Sequence, residues 1–342
     1  MNSVKVGTAE ASSGSIGKGY IKLGEEADGS PVNVPVTILN GNEPGPCIWI
    51  QAMIHGNEYH GCVALLRIIE LIDPKEISGT IIAIPALNIL GLRAYTRSVD
   101  PCFYLKNADL NLSFPGNPNG DFMERAAATL MKEITSNANY LIDLHAYQIT
   151  NGWALSYNDG TKYGEESLNL AQAFGYKNII YSDLKKKSTS MGYEPIHVKK
   201  MPFAIATKLG IPSIIIEAGG GNEIKYDIVE TVVQGIINTL KYLQILKGEV
   251  EWQESYNLIQ RYVDLKSKHG GLFQPSFGEK RPPFTVSEGK NLGSIRNLFG
   301  DITYEIRAPF PGRILSVCRA RPFVSTGVNL FHYAELGKEI SR

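Results

Sequence analysis

At 342 residues the chain exceeds the roughly 250–300 at which a single hydrophobic core stops growing, so a large domain with a smaller companion is expected. Lys plus Arg and Asp plus Glu are each 34, a balance that leaves no global field for nucleic acid or an acidic membrane surface and points to a small-molecule partner. Four scattered cysteines (Cys47, Cys62, Cys102, Cys318), an N-terminus without a signal-peptide core and the absence of any apolar run near the roughly 20 residues that span a bilayer predict a soluble, cytoplasmic protein with no membrane partner.

Residues 32–38 (VNVPVTI) alternate with period two and precede a Gly- and Pro-rich turn at 40–46, which reads as a strand with Pro35 marking a sheet edge. Residues 47–54 (CIWIQAMI) form a short apolar run that stops abruptly at His55-Gly56-Asn57-Glu58, as a buried strand delivering a polar loop does. Leu65, Leu66, Ile68, Ile69 and Ile72 recur at helical spacing, and 79–85 (GTIIAIP) is a second buried strand, so this stretch is a strand–helix–strand crossover. A polar stretch at 93–120 leads to a helix over 122–134 and to the strand 140–144 (YLIDL), which ends at His145. Residues 212–217 (PSIIIE) drive another apolar strand into Glu217, ahead of Gly219-Gly220-Gly221, and an amphipathic helix over 226–246 closes the alternating part. From Glu251 the pattern changes to short strands between Gly and Pro turns. The expected organisation is therefore an α/β domain over 1–250 and a β-rich C-terminal module over 251–342.

In open α/β sheets ligands bind beyond the carboxyl ends of the strands, and His55, Glu58, His145 and Glu217 all fall there. A histidine and a glutamate three residues apart can converge on one ion from a turn, and a second histidine from a neighbouring strand gives three ligands with a fourth position open to water. Zinc in such a site brings the pKa of water to about 7, which makes hydroxide available at neutral pH. His60, His197, His269 and His332 lack this context, and the spacing of His60 from Glu58 predicts a surface helix position.

The motifs His55-Gly56-Asn57-Glu58-Tyr59-His60-Gly61, Asp109-Leu110-Asn111-Leu112-Ser113-Phe114-Pro115-Gly116, Asp143-Leu144-His145 and Gly210-Ile211-Pro212 through Glu217-Ala218-Gly219 occur in an order that resembles the succinylglutamate desuccinylase/aspartoacylase family, relatives of the zinc carboxypeptidases, over roughly residues 30 to 335. The resemblance implies a carboxypeptidase-like mixed sheet flanked by helices. It also implies one zinc per chain on His55, Glu58 and His145, and a general base, then acid, at Glu217. Arg97 best matches the family's oxyanion-stabilising cation, with Arg93 as the alternative. One position departs from the pattern. The family ordinarily places an arginine after Asn111 to grip a substrate carboxylate, and here Leu112 stands there and cannot donate a hydrogen bond.

The expected reaction is hydrolysis of the amide bond in a small N-acyl amino acid or related amine, with Asn111, Leu112 and Arg93 facing the substrate. A metallocarboxypeptidase is the second hydrolase reading, weakened because a terminal carboxylate needs a cationic partner where Leu112 sits. A non-catalytic binding protein on a hydrolase scaffold is the reading from another class. Gly14 to Gly19 lacks phosphate-loop spacing and reads as a flexible N-terminal segment, Lys185-Lys186-Lys187 reads as a solvated face, and no Gly-x-Ser-x-Gly elbow is present. The tail from Ala308 to Leu330 resembles half of a biotinyl/lipoyl-carrier fold without a carrier lysine between Gly312 and Pro322. It is expected to cover the active-site mouth or to form a homo-oligomer contact.

Overall fold

A computed structural model describes residues 3–100, 108–183, 198–319 and 321–341. The lysine run at 185–187, Cys102 and His197 lie outside the described residues. After the hairpin β1 (Val4–Val6) and β2 (Ala9–Ala11) come β3 (Ser15–Glu25), β4 (Pro31–Asn40), β5 (Glu43–Ala52), α1 (Tyr59–Leu71) and β6 (Ser78–Ile84). Then follow α2 (Ile89–Arg93), α3 (Phe122–Asn137), β7 (Tyr140–His145), β8 (Thr150–Asn158), α4 (Lys162–Phe174), β9 (Asn178–Asp183), α5 (Pro202–Lys208), β10 (Ser213–Gly219) and α6 (Tyr226–Tyr242). The remainder is strands: β11 (Ser255–Ile259), β12 (Tyr262–Lys266), β13 (Gly271–Pro275), β14 (Phe284–Val286), β15 (Asn291–Arg296), β16 (Ile302–Arg307), β17 (Gly312–Val317), β18 (Phe323–Val324), β19 (Asn329–Glu335) and β20 (Lys338–Ser341).

Ten strands build one mixed sheet in the order β20-β11-β9-β8-β10-β7-β5-β6-β4-β3, and two four-stranded sheets, β12-β19-β17-β14 and β16-β15-β13-β18, form the small C-terminal β module. The strands β10, β7, β5 and β6 run parallel at the centre. From β5 the chain crosses through α1 to β6 on one side, then returns past β5 to lay β7 on its other side. That reversal opens a crevice between the carboxyl ends of β5 and β7, the place where open α/β sheets bind ligands.

Side chains alternate across the sheet. Ile48, Ile50, Ile142, Leu144, Ile214 and Ile216 pack into one buried cluster with α1, α4 and α6, whereas Trp49, Leu141, Ile215, Trp153 and Leu155 pack into the other with α3 and α5. By the same alternation Asp143, His145 and Glu217 point to the α3/α5 face. The start of α3 is fixed by a capping box, in which Asp121 accepts from the Glu124 amide and Glu124 accepts from the Asp121 amide. At the start of α1 the N-cap residue is Glu58, and its side chain makes no capping bond, because the carboxylate is turned toward the histidines described below.

Three expectations are corrected. The segment Gly14 to Gly19 is not a flexible arm, since residues from Ser15 on belong to β3 and pair with β4. Pro35 does not mark an edge: β4 is second from the edge, and Pro35 is tolerated because the β4–β6 register covers only Thr37 to Asn40. His60 is fully buried rather than on a helix surface, with Nε2 accepting from the Lys225 amide at 3.1 Å. Among the described residues no helix is long and apolar enough to cross a membrane.

Candidate active site

Three strand ends assemble the site. β5 stops at Ala52, and Met53 takes the left-handed backbone conformation (φ 53°), a strained arrangement for a non-glycine residue that turns the chain into His55-Gly56-Asn57-Glu58. Gly56 is required there, because a Cβ would stand 2.1 Å from the Gly91 carbonyl carbon, and its amide donates to the Arg97 carbonyl at 3.0 Å. The loop carrying Arg97 is thereby held against the loop carrying His55. Glu217 of β10 is in register with both His145 of β7 and Trp153 of β8, which places the three side chains in one row.

His55, Glu58 and His145 are buried, and each offers a ligand atom such that all lie within 4.8 Å of one another. Glu58 touches both rings, with Oε1 at 3.0 Å from His55 Nδ1 and Oε2 at 3.2 Å from His145 Nδ1. The far nitrogens meet carboxylates: His55 Nε2 lies 3.1 Å from Asp109 Oδ1, and His145 Nε2 lies 3.3 Å from Asp143 Oδ2. The hydrogen bond to Asp109 keeps the His55 proton on Nε2 and leaves its Nδ1 lone pair facing inward, as a metal-binding histidine requires, and Asp143 stands behind the His145 ring in the same way without a hydrogen bond in good geometry. Among the described residues His55 Nδ1 is buried without a hydrogen-bond partner. That orphaned nitrogen, beside a second imidazole and a carboxylate, fits a borderline-soft divalent ion.

Burial opposes ionisation of Glu58, but His55, Arg97 and His145 outweigh it and hold the carboxyl well below its usual range. Burial likewise works against a charged His145, and the anionic Asp143 and Glu58 outweigh it, raising this ring. Glu217 differs. Burial pushes its carboxyl up, with Glu58 adding to the rise and His145 opposing it, and Oε2 accepts from the Tyr147 amide, at 3.1 Å. Arg97 donates to Glu58 Oε1 and lies 4.3 Å above the Tyr147 ring.

A cavity of about 220 Å³ opens on this cluster, lined by His55, His145 and Glu217, by Arg97 and Asn111, and by the apolar Trp153, Leu155 and Met201. Asn111 Oδ1 is buried with no partner among the described residues. Arg97 and Tyr147 also line an adjoining cavity of about 280 Å³ that contains Arg319 and Arg321. Arg93 is elsewhere: it pairs with Glu26 on an exposed surface and lines neither cavity. Leu112 is half-buried in the turn Leu110–Leu112 and also lines neither.

Residues 44–243 match the succinylglutamate desuccinylase/aspartoacylase catalytic domain. The chain belongs to the succinylglutamate desuccinylase/aspartoacylase family. Membership makes it a hydrolase of the deacylase type. It is 24% identical over 334 residues to the N-alpha-acetyl-L-2,4-diaminobutyric acid deacetylase of Halomonas elongata, covering 93% of this chain and 91% of that one. The fold matches a succinylglutamate desuccinylase/aspartoacylase from Rhodobacter sphaeroides (TM-score 0.79, 21% identity, 94% of this chain and 95% of that one). It also matches the product-bound ectoine utilization protein EutE (DoeB) from Ruegeria pomeroyi (TM-score 0.76, 21% identity, 94% and 95%).

The cavity of this family member has a wall beyond the matched catalytic domain. Tyr262 and Asp264 from β12, and Asn329 and His332 from β19, line it. In the sequence His332 is set aside for want of a strand-end context and Tyr262, Asp264 and Asn329 belong to none of the family motifs, and only the β12–β19 register, which sets Asp264 opposite His332, brings them together. The second carboxylates, Asp109 and Asp143, carried a legible signal in that each belongs to a motif with a candidate ligand or cavity residue two positions away.

The burial of His60 has a consequence for stability. Desolvation, helped by Arg281, pushes its ring down to about 4, whereas an unfolded histidine titrates near about 6.5. Between those values the unfolded chain binds more protons, so this contribution is complete above pH of about 6.5 and is lost as pH falls toward 4. Denaturant titrations should show His60→Gln losing less stability than the parent across that window, whatever its absolute stability. Equal slopes would assign the acid sensitivity to other groups.

Proposed function

We propose that the chain is a zinc-dependent deacylase that hydrolyses the amide bond of a small N-acyl amino acid or related amine, with one zinc held by His55, Glu58 and His145. The observation that carries the reading is the convergence of His55 Nδ1, His145 Nδ1 and the Glu58 carboxylate, each ring backed by a carboxylate, beside a buried Glu217. When bound, zinc supplies a Lewis acid that acidifies water and polarises an acyl carbonyl. Glu217, raised toward neutrality by burial, takes a proton from the attacking water and delivers it to the departing nitrogen. Arg97, fixed by Glu58 and Tyr147, stabilises negative charge developing on the acyl oxygen. Asn111, which lines the cavity and whose buried Oδ1 has no hydrogen-bond partner among the described residues, orients the substrate. Leu112 leaves the position after Asn111 without a cation, so a substrate carboxylate would be met by Arg97 or by the arginines of the adjoining cavity.

The deacetylase name of the Halomonas elongata relative supports an acetyl group as the one removed. Elemental analysis and a screen against N-acetyl, N-succinyl and N-formyl amino acids and diamines test the reading together. The expected result is about one zinc per chain and turnover of at least one N-acyl compound that ceases on chelation and returns with zinc. Protein that neither contains nor takes up a transition metal, and cleaves none of the panel, would exclude the proposal.

A further inference from the structure

The corner of the cavity formed by Asp264 and His332 has more acceptors than donors. Gln148 is fixed in orientation, since its Nε2 donates to the Asn329 carbonyl at 2.9 Å and its Oε1 therefore faces Ser316 Oγ, also at 2.9 Å. Ser316 has one hydroxyl proton, and Gln148 Oε1 can only accept. With that proton given to Gln148, Ser316 Oγ must accept from His332 Nδ1, 2.7 Å away. In the neutral ring Nε2 then presents a lone pair, and it lies 3.4 Å from Asp264 Oδ1. That oxygen already accepts from Asn329 Nδ2 at 2.8 Å. Two acceptors thus face each other on the cavity wall. Around His332 stand the rings of Trp153, Tyr147 and Tyr262, with centroids 5.8, 5.9 and 6.4 Å from the imidazole, and aromatic faces favour a cation.

We infer that the Asp264–His332 pair is the subsite for a primary ammonium group of the substrate, so that the compound deacylated is a mono-N-acylated diamine or diamino acid. This rests on the deacylase reading above. A primary ammonium has three protons, enough for Asp264 and His332 Nε2 together, and its charge offsets that of the carboxylate. A neutral amide or hydroxyl of the substrate could satisfy these acceptors in part but would leave the Asp264 charge unmatched. Asp264 and His332 are register partners on adjacent strands, and the chain of bonds through Ser316, Gln148 and Asn329 locks the histidine tautomer, so the subsite is preorganised.

Calorimetric titration of the full-length, zinc-loaded chain with L-2,4-diaminobutyrate and with L-norvaline, which puts a methyl where the terminal ammonium would be, tests the assignment. The diamino compound is expected to bind about 10–100-fold more tightly, the range for a charge-assisted contact. Asp264→Asn, nearly identical in shape, should remove that preference while leaving norvaline affinity within about threefold. If that variant fails to fold, His332→Gln takes its place with the same expectation. Equal affinities in the parent, binding of neither ligand, or equal losses for both in Asp264→Asn would overturn the subsite, and the first is the outcome expected if His332 itself carries the charge that matches Asp264. Turnover of the two Nα-acetyl derivatives separates this inference from the one beneath it. Cleavage of both at the same kcat/KM keeps the deacylase and removes the subsite, whereas preferential binding of diaminobutyrate with cleavage of neither keeps the subsite and removes the deacylase.

Discussion

Glu217→Gln is expected to lower kcat by about 10²–10⁴-fold, the usual contribution of a general acid–base, with metal content unchanged. The substitution keeps the shape of the side chain and removes its capacity to take a proton. Glu217 is not one of the three residues whose ligand atoms cluster within 4.8 Å, so the ion should not depend on it. Its buried carboxyl is raised by desolvation and by Glu58, which brings a base closer to the pH at which it must both accept and return a proton. Activity of the parent should therefore fall on the acid side as Glu217 protonates, and that limb should be absent from whatever residual rate the variant retains. Loss of metal with retained turnover would show that Glu217 is a ligand and that one of the three residues assigned to the ion is the base.

The parts of the fold and site that were legible in the sequence are those where one element announces its own end. Residues 47–54, 140–144 and 212–216 are mostly apolar runs, interrupted only by Gln51, Asp143 and Ser213 and stopped by His55, His145 and Glu217, and each is a central strand buried on both faces, β5, β7 and β10. The strands and helices between 150 and 208 were not legible, because β8 and α4 mix polar and apolar residues and α5 is only seven residues long, too short for periodicity to register. The resemblance favours Arg97 for the oxyanion-stabilising cation and leaves Arg93 as the alternative. The structure separates them by partner, with Arg97 drawn to Glu58 and Arg93 to Glu26, and four residues along a turning loop suffice to send one side chain inward and the other out. His332 was out of reach for a further reason: its tautomer and its acidic neighbour depend on Ser316, Gln148, Asn329 and Asp264, spread over nearly 200 positions, and only tertiary docking of the β module brings them into one chain of hydrogen bonds.

His145→Ala should remove the metal and with it essentially all turnover, while Asp109→Asn and Asp143→Asn should retain the ion with affinity reduced by about 10–100-fold, as outer carboxylates behind metal-bound imidazoles ordinarily do. The gradation follows from the geometry. His145 offers one of the three ligand atoms that cluster among the described residues, whereas Asp109 and Asp143 face the outer ring nitrogens of His55 and His145, at 3.1 and 3.3 Å. The two outer substitutions should differ from each other. Asp109 lies near the cavity, is itself held low, to about 2, by His55 and Arg97 against its burial, and accepts the Asn111 amide at 3.0 Å, so its loss should also disturb Asn111 and raise KM. Asp143 is fully buried, with neither oxygen in a hydrogen bond of good geometry among the described residues, and its effect should be confined to metal affinity through His145. Competition against a chelator of known zinc affinity, run beside steady-state kinetics at saturating zinc, reads both quantities. Full metal affinity in His145→Ala would remove that residue from the ligand set, and identical KM values for Asp109→Asn and Asp143→Asn would break the proposed link from Asp109 through Asn111 to the substrate.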